Sequence, residues 1–125
     1  MLDHIGVIVH DYQRSKAFYL AALAPLGYEL VSEMGEWGGI GWGEKPQLLF
    51  KGGSSTKPRL HIAFSAEDRE TVRAFHTAAL EAGGEDSGSP GVRPEYHDSY
   101  YAASVLDPDG HNIEVVCHIP ADAFD

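Results

Sequence analysis

An α+β fold made of one unit used twice is what this chain predicts, on three observations. The segment HIGVIVHDYQRSKAFYLAALAPLG, from His4, aligns without a gap over HIAFSAEDRETVRAFHTAALEAGG, from His61, at a constant offset of 57. His4 meets His61, Ile5 meets Ile62, Asp11 meets Asp68, Ala17-Phe18 meets Ala74-Phe75, Ala21-Ala22-Leu23 meets Ala78-Ala79-Leu80, and Gly27 meets Gly84. Self-similarity at a fixed period marks a duplicated supersecondary unit. Within each copy a β-rich run gives way to helical spacing and then to further strands, punctuated by many of the 14 glycines.

The elements follow in order. Residues 4–9 and 60–65 read as strands, and 11–24 and 67–82 as helices whose Phe18/Ala22 and Phe75/Ala79 pairs form an inward stripe. Asp11 caps the first helix, Ser65 with Asp68 opens the second, and Gly27 and Gly83-Gly84 stop them. Strands are expected at 28–34, 37–42 and 47–51, then at 100–106 and 112–118. Residues 85–98 read as a long polar loop with at most one short strand, and the tail after His118 as peripheral. The chain is expected to be a single domain over 1–125, with module 1 at 1–51, linker 52–57 and module 2 at 58–118.

Composition narrows function. A formal charge of −10 lacks the basic stripe that nucleic acid or anionic lipid requires. No apolar window is long enough to span a membrane, and the start lacks the basic and apolar regions of a signal peptide. One cysteine, Cys117, forms no internal disulfide, which suits a reducing cytoplasm.

Alternation along the strands isolates the candidate chemistry. Ile5, Val7 and Val9 share one face, leaving His4, Gly6 and Ile8 on the other. In the copy, His61, Ala63 and Ser65 oppose Leu60, Ile62 and Phe64; in the last strand, Asn112, Glu114 and Val116 oppose Ile113, Val115 and Cys117. A carboxylate inside a buried strand needs a partner. Two imidazoles and one carboxylate on like faces suit a first-row divalent cation, one ion of Zn, Ni, Co, Mn or Fe. Glu114 is also the candidate general base.

Other histidines read differently. His118 shares the face of Glu114 but lies about 13 Å along the strand, too far to share an ion. His10 and His111 read as solvated, and His76 as partly exposed. The loop VRPEYHDSYY offers Arg93, Tyr96, His97 and Tyr101 as substrate contacts, with Trp42 a further one, although tryptophan more often fills a core.

These residues resemble the vicinal oxygen chelate superfamily, which includes glyoxalase I, fosfomycin-resistance proteins, extradiol dioxygenases and bleomycin-binding proteins. The resemblance is carried by His4-Ile5-Gly6-Val7, by Gln13-Arg14-Ser15 with Phe18-Tyr19, by His61-Ile62-Ala63-Phe64 and by Asp107 to Glu114. It implies two βαβββ modules whose curved mixed sheets form a cleft (a glyoxalase-like fold), metal ligands at His4, His61 and Glu114 with Gln47 a possible fourth, and a homodimer. Gln47 stands where glyoxalase I has glutamate, Ile8 where its bacterial form has an arginine, and Ser104 near the place of a dioxygenase tyrosine. The resulting expectation is a metal-dependent isomerase or lyase chelating a small oxygen-rich substrate. The alternatives are a metal-free protein that sequesters a small molecule and an extradiol-type dioxygenase.

Overall fold

A computed structural model describes residues 1–120. Module 1 runs β1 (Ile5–Val9), α1 (Tyr12–Leu23), β2 (Glu29–Met34), β3 (Trp37–Trp42) and β4 (Lys45–Gly52). Module 2 repeats the series with β5 (His61–Ser65), α2 (Arg69–Glu81), β6 (Glu85–Val92), β7 (Tyr101–Leu106) and β8 (Asn112–Cys117). Each module is therefore βαβββ. Its sheet has the order β1-β4-β3-β2 in one copy and β5-β8-β7-β6 in the other. In each sheet the first strand lies parallel to the last, and the remaining pairs are antiparallel. The helix supplies the crossover that a parallel pair requires.

Both helices start at the repeated aspartate. Asp11 accepts from Arg14 N at 3.1 Å and Asp68 from Thr71 N at 2.7 Å, each satisfying an amide that has no partner within its helix. Helix α1 lies on sheet 1, α2 on sheet 2, and the helices pack on each other, so one apolar core serves both modules. The repeated Phe18 and Phe75 are both buried in it. Gly84 shows how tightly the copies meet: a Cβ there would stand 2.8 Å from the Phe18 ring and 2.3 Å from Val105. Each sheet turns its other face outward, and that face carries His4, Gly6 and Ile8 on one copy and His61, Ala63 and Glu114 on the other.

The Asp107-Pro108-Asp109-Gly110 turn ties module 2 to module 1. Gly110, at φ 87°, lets its amide close the turn on Asp107 O at 2.9 Å. Asp107 accepts from the amides of Asp109 and His111, at 2.9 and 2.8 Å, and from the buried Tyr19 hydroxyl of α1. Asp109 accepts from His10 N at 2.8 Å and from the hydroxyls of Ser15 and Ser55. Loss of hydration and the adjacent Asp107 push the Tyr19 phenol well above its ordinary range.

Three expectations are corrected. Residues 85–92 form an eight-residue strand, not a loop. Its Ser-Gly-Ser-Pro-Gly composition hides it, because β6 is an edge strand where proline is tolerated and two bulges absorb the irregularity. His111 is buried: its Nδ1 accepts from Leu60 N at 2.9 Å, which fixes the start of β5. His76 is buried as well, bonded through Nε2 to Asp86 at 2.9 Å, so it joins α2 to β6. The expectation for the tail lies, beyond Pro120, outside the described residues.

Removing the Tyr19 hydroxyl leaves the buried Asp107 carboxylate short of a donor. Tyr19→Phe should lower unfolding stability in urea by about 1–3 kcal/mol with little change in the denaturant slope.

Candidate functional site

The outward face of sheet 2 gathers the chemistry. His61 is the first residue of β5 and Glu114 the third of β8, and the parallel register sets Glu114 beside Ala63. From there His61 Nε2 reaches Glu114 Oε1 at 2.7 Å. The Tyr100 hydroxyl donates to the other carboxylate oxygen, also at 2.7 Å. Glu114 is only 8% exposed although it lies on an outward face, because these two side chains cover it. The cost of burying its charge is offset by a charge-assisted hydrogen bond on each oxygen. Loss of hydration first, then the bond to Glu114 and its charge, push the Tyr100 phenol up to about 12.

Beside this trio stands a pair of imidazoles. His97 Nδ1 accepts from Ser99 N at 3.1 Å, which places the His97 proton on Nε2. That nitrogen therefore donates to His118 Nδ1, 2.9 Å away, and leaves the His118 proton on Nε2. The rings of His97, His118 and Tyr96 surround Tyr100, with centroids at 5.5, 5.2 and 4.8 Å. The segment 96–100 is thus held over Glu114 by stacking and directed hydrogen bonds.

The remaining predicted site residues lie elsewhere. His4, half exposed just before β1, gives its Nδ1 to Asp3 at 2.7 Å, and Asp3 is gripped by Lys45 at 2.6 Å. This leaves His4 Nε2 available. Carboxylate-oriented imidazoles of this kind are common at metal centres. Among the described residues, however, no three His, Cys, Asp or Glu side chains gather closely enough to hold one ion. His4 is on sheet 1 and the His61–Glu114 pair on sheet 2, so one chain does not bring the expected three together.

Gln47 is not the module 1 counterpart of Glu114. Gly6 pairs with Leu49 as Ala63 pairs with Glu114, so the repeat puts Leu49 at the acid's place. Gln47 stands two residues earlier, at a bulge, and its Oε1 accepts from Trp42 N at 2.8 Å. With Trp42 it lines a cleft of about 470 Å³ between the modules, beside Tyr28 and Ser65. Trp42 fills no core: it is 68% exposed. Tyr101 faces inward, 9% exposed, beneath the guanidinium groups of Arg69 and Arg73.

The tyrosine that meets Glu114 is Tyr100, the neighbour of the expected contact Tyr101. Ala103 and Val105 point inward, so counting back by two puts Tyr101 in the core and Tyr100 on the outward face. Asp3 gave no signal, since its role depends on Lys45, 42 residues away.

The model of the Glyoxalase/Bleomycin resistance protein/Dioxygenase superfamily matches residues 1–115. The chain belongs to that superfamily. A glyoxalase/bleomycin resistance protein from Albidiferax ferrireducens is 28% identical, with a TM-score of 0.74 over 94% of this chain and 98% of its own. For the fold alone, a protein described as a putative glyoxalase from Bacillus halodurans has a TM-score of 0.73 at 24% identity, covering 94% of this chain and 95% of its own. A lactoylglutathione lyase from Agrobacterium tumefaciens has 0.67 at 18%, covering 94% and 92%. No curated protein matches the chain. Among the described residues no helix is long and apolar enough to cross a membrane.

The raised phenol has a consequence with a definite sign. A folded pKa above the unfolded value of 10.0 gives stability that is complete below pH 10 and is lost as pH rises towards about 12. Subtracting the alkaline absorbance titration of Tyr100→Phe from that of the wild type should isolate a phenol near 12. The same subtraction in a Glu114→Gln background should bring it back towards 10.0.

Proposed function

We propose that this protein is a metal-dependent enzyme of the lyase or isomerase type, acting on a small substrate that presents two adjacent oxygens. The observation that carries the reading is the His61–Glu114 pair, with Tyr100 on the second carboxylate oxygen. Its donor set suits a divalent ion. The hydrogen between His61 Nε2 and Glu114 Oε1 occupies a gap of 2.7 Å, close to the roughly 3 Å that separates neighbouring ligand atoms on a first-row metal. A cation bound there would supply Lewis-acid stabilisation to negative charge developing on substrate oxygens.

The chain's own groups account for the rest. Glu114 is the base that takes a proton from the substrate, and its short reach from β8 confines that proton to atoms lying over Ala63 and Ser104. Tyr100 holds one carboxylate oxygen and His61 the other, so the oxygen on His61 is the one that changes partner to take the proton. Tyr96 and His97 wall the site beside Tyr100, excluding water from one side of the bound substrate.

Completion of the ligand set calls for a second copy. His4 and the His61–Glu114 pair lie on outward faces of different sheets, and a homodimer that sets sheet 1 of one chain over sheet 2 of the other would join them. Ile8, Trp37 and Met34, exposed on sheet 1 by 42, 37 and 79%, supply apolar surface for that contact. Module 1 has Leu49 at the place of a second acid, so the metal would be held by fewer protein ligands than a fully symmetric pair of modules could provide. The dispersal of the three residues within one chain equally favours the rival reading, a metal-free binding protein.

The test is elemental analysis with complementation. Wild-type protein purified without chelator should carry about one ion per chain, and His4→Ala, His61→Ala and Glu114→Gln should each lose most of it. Mixing His4→Ala with His61→Ala chains should restore one site per mixed dimer. Near-zero metal in wild type and variants alike would leave the binding-protein reading.

A further inference from the structure

We infer that the ligand of the sheet 2 face bears a carboxylate or a similar planar oxyanion, and that Arg93 receives it. This rests on reading that face as the ligand site and is independent of any metal there.

Arg93 follows β6 and folds back on it. Its Nη1 donates to Gly91 O at 3.1 Å and its Nη2 to Ser89 O at 2.8 Å. The position on the sheet follows from register: Gly88 pairs with Ser104, Ser104 with Glu114, and Glu114 with Ala63, a single row across four strands. A Cβ on Gly88 would lie 2.6 Å from Ser104 Oγ and 3.2 Å from Arg93 Nη2, and one on Gly91 would lie 3.2 Å from Nη1. The guanidinium therefore rests over bare backbone on the face that Ser104 and Glu114 share. Two glycines clear the space for it.

Its charge is uncompensated locally. A guanidinium has about five N–H donors, and two neutral carbonyls engage one on each Nη, leaving three. The chain has 19 acidic residues against nine lysines and arginines, yet among the described residues Arg93 forms no ion pair. A rigid, charged, planar fork with free donors matches a carboxylate in two-point contact.

The spacing sets the ligand's size. The backbones of Gly88 and Glu114 are two strands apart, about 10 Å. A small organic acid fits: its carboxylate on Arg93, its flat part along Tyr96 and Tyr100, and its reacting oxygens over Ser104 towards His61 and Glu114.

Mandelate and its neutral analogue mandelamide separate this proposal from its rivals, since both have the ring and the hydroxyl and only one has the charge. Calorimetry on metal-stripped protein in chelator-free buffer should find mandelate bound roughly tenfold or more tightly than mandelamide. Arg93→Gln should abolish that preference and Arg93→Lys should keep only part of it, each with circular dichroism confirming the fold. If the Gln variant does not fold, the wild-type preference and its reduction in the Lys variant decide the matter. Equal affinities, no mandelate binding, or a preference that survives Arg93→Gln in folded protein overturns the proposal. Absence of metal uptake together with an Arg93-dependent preference would remove the metal-enzyme reading and leave this one standing.

Discussion

Two aspartates in one tight turn hold the modules in their relative positions. Asp107 closes the turn through its own backbone and receives the Tyr19 hydroxyl from the first helix, while Asp109 binds His10, Ser15 and Ser55. Every one of those four partners belongs to module 1 or to the linker. The turn also launches β8, and with it Glu114. A buried carboxylate that loses a donor is costly, so the turn has little freedom to shift without breaking several bonds at once. The interaction that joins the halves therefore also sets where the site's acid emerges.

The helices' packing decides which surfaces remain for chemistry. With α1 and α2 pressed together in one core, both sheets must show their other faces outward. Those faces hold glycine, alanine and serine beside the polar groups, leaving room above the sheet. On sheet 2 the space is furnished with an acid, an imidazole, a phenol and a guanidinium. On sheet 1 it is mostly apolar, with His4 at the margin. The duplication thus left two surfaces of common origin and different chemistry, a divergence plain at Leu49 and Glu114.

Histidine burial illustrates why single residues were hard to read. His10, His76, His97, His111 and His118 look alike in sequence, but His111 props the start of β5, His76 joins a helix to an edge strand, and His97 and His118 share a proton. Imidazole takes each role according to which of its two nitrogens meets a donor or an acceptor, and those partners come from distant segments. Local pattern contains none of that information. The β6 strand is illegible locally for a related reason: its pairing comes from β7, and its own residues favour turns.

The sequence by itself determined the duplication, the α+β class, the helix caps, the faces of β1, β5 and β8, and the pairing need of Glu114. All of these follow from periodicity, short-range hydrogen bonding and the cost of burying charge, which act over a few residues or over an exact repeat. Only the tertiary structure decided that Glu114 is met by His61 and Tyr100, that His4 points from another sheet, that Gln47 and Trp42 line a cleft between the modules, and that Arg93 folds back on Ser89 and Gly91. Those outcomes depend on strand register, bulges and the docking of one module on the other, where a shift of one residue reverses a side chain. Parity along a strand names the face; packing between modules decides what that face meets.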